Sequence, residues 1–90
     1  MAKVKFTSAL NRFFPELKEI EIHGATVKEA LLQVDHDYPG ILQYLTDDQG
    51  QLRKHVNIFL SGELIKDRTT LNDPVSKNDE VLIFQALSGG

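Results

Sequence analysis

The sequence predicts an α+β fold in which one main helix lies across one face of a mixed four- to five-stranded sheet. Three observations carry this. Short runs that alternate apolar and polar residues flank a single long stripe of helical spacing, Val27 to Tyr38. The last run, Glu80 to Leu87, is apolar almost throughout, as expected of a central strand buried on both sides. The order strand, strand, helix, strand, short strand, strand makes the helix a right-handed crossover from the opening hairpin into the rest of the sheet.

Val4, Phe6, Ser8 and Leu10 alternate with Lys3, Lys5, Thr7 and Ala9, the period of a half-buried strand with Val4 and Phe6 inward. Pro15 and its polar neighbours turn the chain, and Phe13 and Phe14 are placed to cover an edge of the core. Lys18 to His23 alternates again with Ile20 and Ile22 inward, so the two runs form a hairpin. Gly24 ends it. Thr26-Val27-Lys28-Glu29 has the spacing of a capping box, in which the Thr26 hydroxyl accepts from the Glu29 amide and the Glu29 carboxylate reaches back. Val27, Ala30, Leu31, Val34 and Tyr38 then form the apolar stripe of a helix that Pro39-Gly40 stops. Ile41, Leu42 and Leu45 make a short docking turn, and Asp47 to Gln51 is a polar loop.

Val56, Ile58 and Leu60 share one face of a third strand, and Ser61-Gly62 turns the chain into a short edge strand within Glu63 to Lys66. Thr69 to Asn78 is irregular, because Pro74 cannot donate to a sheet ladder. Ser76 to Asp79 is a turn before the final strand. This ββαββ layout is the β-grasp. Its first and last strands are adjacent and parallel in the middle of the sheet, so the chain's end projects from the sheet's centre. Residues 1–87 form the single domain and residues 88–90 the tail.

Ninety residues with 41% apolar and 26% charged content describe one small globular unit. No apolar run approaches a membrane span, and Met1 to Lys5 lacks the apolar region of a secretory signal. The expectation is a cytoplasmic protein. A net charge of −3 argues against a general nucleic-acid binder, which would present a basic face. There is no cysteine, which excludes disulfides, thiolate metal sites and any side-chain thiol nucleophile.

The most informative stretch for function is Ser88-Gly89-Gly90. Glycine lacks a Cβ, so two of them fit a channel too narrow for other residues and leave the Gly90 carboxylate sterically open. A plain mobile tail is the alternative. On the last strand Val81 and Ile83 face the helix, so Leu82 and Phe84 face away from it, and Phe59 does the same one strand over. Three large apolar groups on an uncovered face form a docking patch unless the Phe13–Phe14 loop folds over them. The remaining candidates are weak. Asp35, His36 and Asp37 are consecutive on a helix and cannot converge on one ion. Asp47, Asp48 and Gly50 do not match a calcium loop. Arg53-Lys54-His55 reads as a charged approach to a strand or as a contact for an acidic partner.

Thr26-Val27-Lys28-Glu29-Ala30-Leu31, Val56-Asn57-Ile58-Phe59, Gly62-Glu63, Asn78-Asp79-Glu80-Val81 and the terminal Ser88-Gly89-Gly90 together resemble the MoaD/ThiS family of ubiquitin-like sulfur carriers. The segment Gly50 to Ile58 is similar to the longer, MoaD-like and cysteine-biosynthesis branch. The resemblance implies a stoichiometric co-substrate rather than an enzyme, with no cofactor or metal of its own. A MoeB/ThiF-like adenylating enzyme would use ATP to activate the Gly90 carboxylate. A thiocarboxylate formed there would pass sulfur to an acceptor, either the large subunit of molybdopterin synthase or a cysteine-synthase-type enzyme. Gly89 and Gly90 would be the reacting end, and Phe59, Leu82, Phe84, Leu87 and Ser88 the partner-binding residues. Two other functions fit the same chain: a protein modifier joined through Gly90 to target lysines, and a β-grasp interaction module with an inert tail.

Overall fold

A computed structural model describes residues 2–7, 14 and 19–85. Its strands are β1 (Ala2–Phe6), β2 (Ile20–Ile22), β3 (Val56–Leu60), β4 (Glu63–Leu64) and β5 (Glu80–Gln85), and its helices are α1 (Val27–Asp37) and α2 (Ile41–Leu45). They form one sheet in the order β2-β1-β5-β3-β4. β1 pairs with β5 in parallel, Val4 opposite Val81 and Phe6 opposite Ile83, and the other neighbours are antiparallel. This is the expected β-grasp, with the first and last strands side by side in the middle. The expected ends of β1 (Ser8, Leu10) and β5 (Ala86, Leu87) lie outside the described residues.

One layer of side chains makes the core. Val4, Ile22, Val56, Ile58, Val81 and Ile83 from one face of the sheet meet Val27, Ala30, Leu31 and Val34 of α1 and Ile41 and Leu45 of α2, all buried. Alternation in the strands and the helical stripe converge on that layer because each element has a single apolar side to hide. Tyr38 and Leu60 pack at its margin. One expectation fails. β5 is central but not buried on both faces: Val81 and Ile83 are fully buried, whereas Phe84 is 40% exposed. The single pair of helices covers only one side, so an apolar run does not here mean two covered faces.

The amino end of α1 is closed largely from a distance. The Glu29 amide donates to the Thr26 hydroxyl at 3.2 Å, as the capping box requires. The Glu29 carboxylate reaches one residue further back than expected and accepts from the Ala25 amide at 2.6 Å. The first two helical amides, of Val27 and Lys28, donate to the carbonyls of Asp73 and Leu71 at 3.0 and 2.8 Å. Those would otherwise be orphan donors. The irregular stretch after β4 therefore serves as a non-local cap. Leu71 takes a φ of +60° to present its carbonyl, at a cost of roughly 1–2 kcal/mol for a side chain with a Cβ, while that side chain is buried in the core.

Asp67 and Asp73 hold this stretch in shape. Asp73 accepts from the amides of Lys66 and Asp67 at 2.9 and 2.8 Å. Asp67 accepts from the Thr70 hydroxyl and from the amides of Thr69, Thr70 and Asn72. The Thr70 hydroxyl first, then these amides, hold the Asp67 carboxyl at about 2 against an ordinary 3.8. The exposed edge of the sheet is also closed. The side-chain amide of Gln33 accepts from the His23 amide at 3.0 Å and donates to the Glu21 carbonyl at 2.8 Å. It thereby occupies β2's free edge as a neighbouring strand would.

Because the folded-state carboxyl of Asp67 is depressed, its contribution to stability is complete above its unfolded value of 3.8 and is lost as pH falls through about 2. Asp67→Asn should lower Tm at neutral pH, and the gap from the parent protein should close across that acid window. Thermal melts at stepped pH read the gap; a constant difference would contradict the assignment.

Candidate functional site

The sheet face turned away from the helices carries a continuous apolar row. Register places Leu64 of β4 opposite Phe59 of β3, Phe59 opposite Leu82 of β5, and Leu82 opposite Lys5 of β1. Residues opposite one another in a ladder share a face, so the row runs Leu64, Phe59, Leu82 and ends on Lys5. Phe84 lies one step along β5, opposite Asn57. Leu64 is 55% and Phe84 40% exposed, and Phe59 and Leu82 are half-buried by their neighbours. The sequence expectation for Phe59, Leu82 and Phe84 thus meets on one surface. Leu64 was not legible beforehand, because a two-residue strand shows no period and its face follows only from pairing with Phe59.

The loop that follows β1 does not bring Phe14 over this row. Phe14 stacks edge-on against Tyr44 of α2, ring centres 5.5 Å apart at 88°, and packs against the core on the helix side. Phe13 lies outside the described residues. The row's far end is charged. The Lys5 ammonium is 2.8 Å from Glu80 and 3.9 Å from Glu19. The hydrogen bond that the ammonium donates to Glu80, and then the Glu80 charge, raise the Lys5 pKa, so the ammonium stays charged on this face. An apolar strip bounded by an ion-pair cluster suits docking: the strip supplies area and the charges fix register.

The last described residue of β5 is Gln85, opposite Val56 of β3, and β1 flanks the strand's other side as far as Ile83. Leu87, Ser88, Gly89 and Gly90 lie outside the described residues. A cavity of about 430 Å³ opens beside that end, between Gln43, Tyr44, Arg53, His55 and Gln85. The Thr7 hydroxyl and the Gln85 side-chain carbonyl oxygen are buried here without a partner among the described residues.

The minor candidates take structural parts. The Asp35 carboxylate accepts from the amides of Gly40 and Leu42 at 3.1 and 3.0 Å and joins α1 to α2, while His36 and Asp37 face solvent. Asp47 closes its own loop by accepting from the amides of Gln49 and Gln51. No group of three or more His, Cys, Asp or Glu among the described residues is arranged to hold a metal. No helix among them is long and apolar enough to cross a membrane.

Sheet order, single covered face and apolar open face define a ubiquitin-like β-grasp protein. Residues 4–90 match the ThiS family, and the chain belongs to that family of small sulfur carriers. It is 28% identical over 75 residues to the sulfur carrier protein CysO of Mycobacterium tuberculosis and Mycobacterium bovis, spanning 81% of each chain. Among solved structures it resembles a chain of the Amycolatopsis orientalis BexX/CysO complex, with a TM-score of 0.84 and 26% identity over all of both chains. It also resembles the small archaeal modifier protein 1 of Methanosarcina acetivorans, with a TM-score of 0.78 and 25% identity over 99% of this chain and 95% of that one.

Two neighbours on β5 give opposite expectations for stability. Ile83→Ala empties a fully buried site and should cost about 2–5 kcal/mol. Phe84→Ala, on the open face, should cost about 1 kcal/mol or less. Urea unfolding of the two variants measures the contrast, and similar losses would mean that the open face is covered.

Proposed function

We propose that this protein carries sulfur as a thiocarboxylate on Gly90, made by a partner and spent by a second partner. The observation that carries this reading is the match to the ThiS family through residue 90 in a chain without cysteine. With no thiol side chain available, the terminal carboxylate is the group on which sulfur can be bound and released. A carboxylate is a poor acyl donor, because oxide is its leaving group. A MoeB/ThiF-like enzyme supplies the remedy: a Gly90 carboxylate oxygen attacks the α-phosphorus of ATP and pyrophosphate leaves. A sulfide-level sulfur then attacks the acyl carbon, and AMP departs with the carboxylate oxygen. The resulting thiocarboxylate is ionised at neutral pH and is a nucleophile without a dedicated base. Transfer of its sulfur to an acceptor followed by hydrolysis returns the carboxylate.

The chain's own share is mechanical. β5 holds the tail at the centre of a rigid sheet, and Gly89 and Gly90 allow the reacting end to pass a narrow channel. Phe59, Leu64, Leu82 and Phe84 dock the partner body, with Leu87 and Ser88 leading into the channel. The acceptor is a cysteine-synthase-type enzyme or the large subunit of a molybdopterin synthase, and the likeness to CysO favours the first. The likeness to small archaeal modifier protein 1 supports a second outcome, attachment through Gly90 to a lysine. The absence of arginine from residues 86–90 sets this tail apart from ubiquitin-type modifiers.

Incubation with ATP, sulfide and the cognate adenylating enzyme should raise the intact mass by about 16 Da, the exchange of one oxygen for sulfur. A variant lacking Gly89 and Gly90 should stay unchanged while melting like the parent. An unchanged mass for the folded parent protein would overturn the reading, and isopeptide-linked ladders in cells would establish the modifier.

A further inference from the structure

The chain is acidic overall, at −3, yet three of its ten Lys and Arg residues, Arg53, Lys54 and Arg68, lie near Gln85, the last described residue of β5. Arg53, Lys54 and His55 immediately precede β3, whose first residue lies opposite Gln85. Arg53 and His55 line the cavity beside Gln85. Arg68 arrives from the stretch after β4: one guanidinium nitrogen donates to the Asn57 side-chain oxygen at 3.1 Å, the other to the Arg53 carbonyl at 2.6 Å. Asn57 lies opposite Phe84, so the Arg68 guanidinium that binds it sits level with Phe84 along the sheet.

Among the described residues these guanidinium groups are oriented by neutral oxygens and pair with no acid. Arg53 donates through Nε and Nη2 to the Gln43 carbonyl at 3.2 and 3.0 Å. Across the neighbouring cavity it faces Asp35, Asp47 and Asp48, but among the described residues the ion pairs within 4.0 Å are those of Lys5 alone. One Asp35 oxygen and one Asp47 oxygen are already engaged by backbone amides. Held, partly exposed and with no carboxylate in contact among the described residues, the Arg53 and Arg68 guanidinium groups are pre-oriented for an anionic surface that approaches with the partner.

We propose that Arg53, Lys54 and Arg68, with His55 beside them, form a cationic rim at the tail's exit that seats a carboxylate-bearing surface of the adenylating partner protein, around the mouth of its tail channel. This rests on the carrier reading above. Residues 86–90 extend at most about 17 Å beyond Gln85. A tail drawn out through a channel therefore carries Gly90, and the nucleotide that reacts with it, beyond the reach of side chains at its base. Acidic side chains at the channel mouth are the anions within range. The rim's field also opposes the chain's net negative charge locally, which orients the encounter before the apolar row makes contact.

The test is calorimetric binding of the carrier to its cognate adenylating enzyme without ATP, paired with the mass assay. Lys54→Glu and His55→Gln, both at exposed positions, are combined, and Lys77→Glu, the same change of two charges near the opposite end of β5, is the control for net charge. The rim variant should weaken Kd about tenfold or more, and the parent's Kd should weaken by a similar factor as salt rises from about 50 to about 300 mM. Lys77→Glu should stay within about twofold, and at saturating concentration the rim variant should still gain the sulfur mass. Equal losses in the rim variant and the control, or no loss in either, overturn the rim while leaving the carrier reading in place. A folded parent that neither binds nor gains mass overturns both.

Discussion

The parallel ladder between β1 and β5 is the constraint on which everything else here depends. A parallel pair cannot be closed by a tight turn, so the chain between these strands must leave the sheet and return. In doing so it lays α1 and α2 over one face and adds β3 and β4 on the far side of β5. Placing the last strand between two neighbours anchors it at the centre of the sheet, with Val81 and Ile83 fully buried.

One-sided coverage is the second consequence. Ninety residues supply enough helix to bury one face of a five-stranded sheet. The other face keeps Leu64, Phe59, Leu82 and Phe84 in a strip that ends on the Lys5–Glu80 pair. Exposed apolar area of this kind adds little to the monomer's stability. It lies partly on β5, the strand whose opposite face anchors the core. The edge of the same sheet is treated oppositely: Gln33 occupies the free hydrogen-bonding groups of β2, so pairing by strand addition is blocked there while face-on contact is left open.

The irregular stretch from Asp67 to Val75 shows how a small domain saves residues. It has no period of its own, yet it satisfies the first amides of α1, contributes Leu71 to the core and positions Arg68 against β3. Its internal order comes from two carboxylates, each collecting backbone amides. That arrangement holds the Asp67 carboxyl below its ordinary value and makes the loop a specific structure, not a slack connection.

Local physics alone determined much of this protein. The alternation of Val4 with Lys5 and of Ile20 with Glu21, the Thr26 cap, the Val27-to-Tyr38 stripe and the stop at Pro39-Gly40 are all set by neighbours within a turn or a pleat, so they are legible one residue after another. The burial of Val81 and Ile83 beside the exposure of Phe84 was half legible: period two says that the faces differ, but not that one of them lies open. Tertiary structure alone decided the role of Leu64, the capping of α1 by Leu71 and Asp73, the turn of Phe14 toward Tyr44, and the meeting of Arg68 with Arg53 beside Gln85. Each of these joins residues far apart in the chain through a register, and a register is chosen by the whole packed core rather than by any one segment.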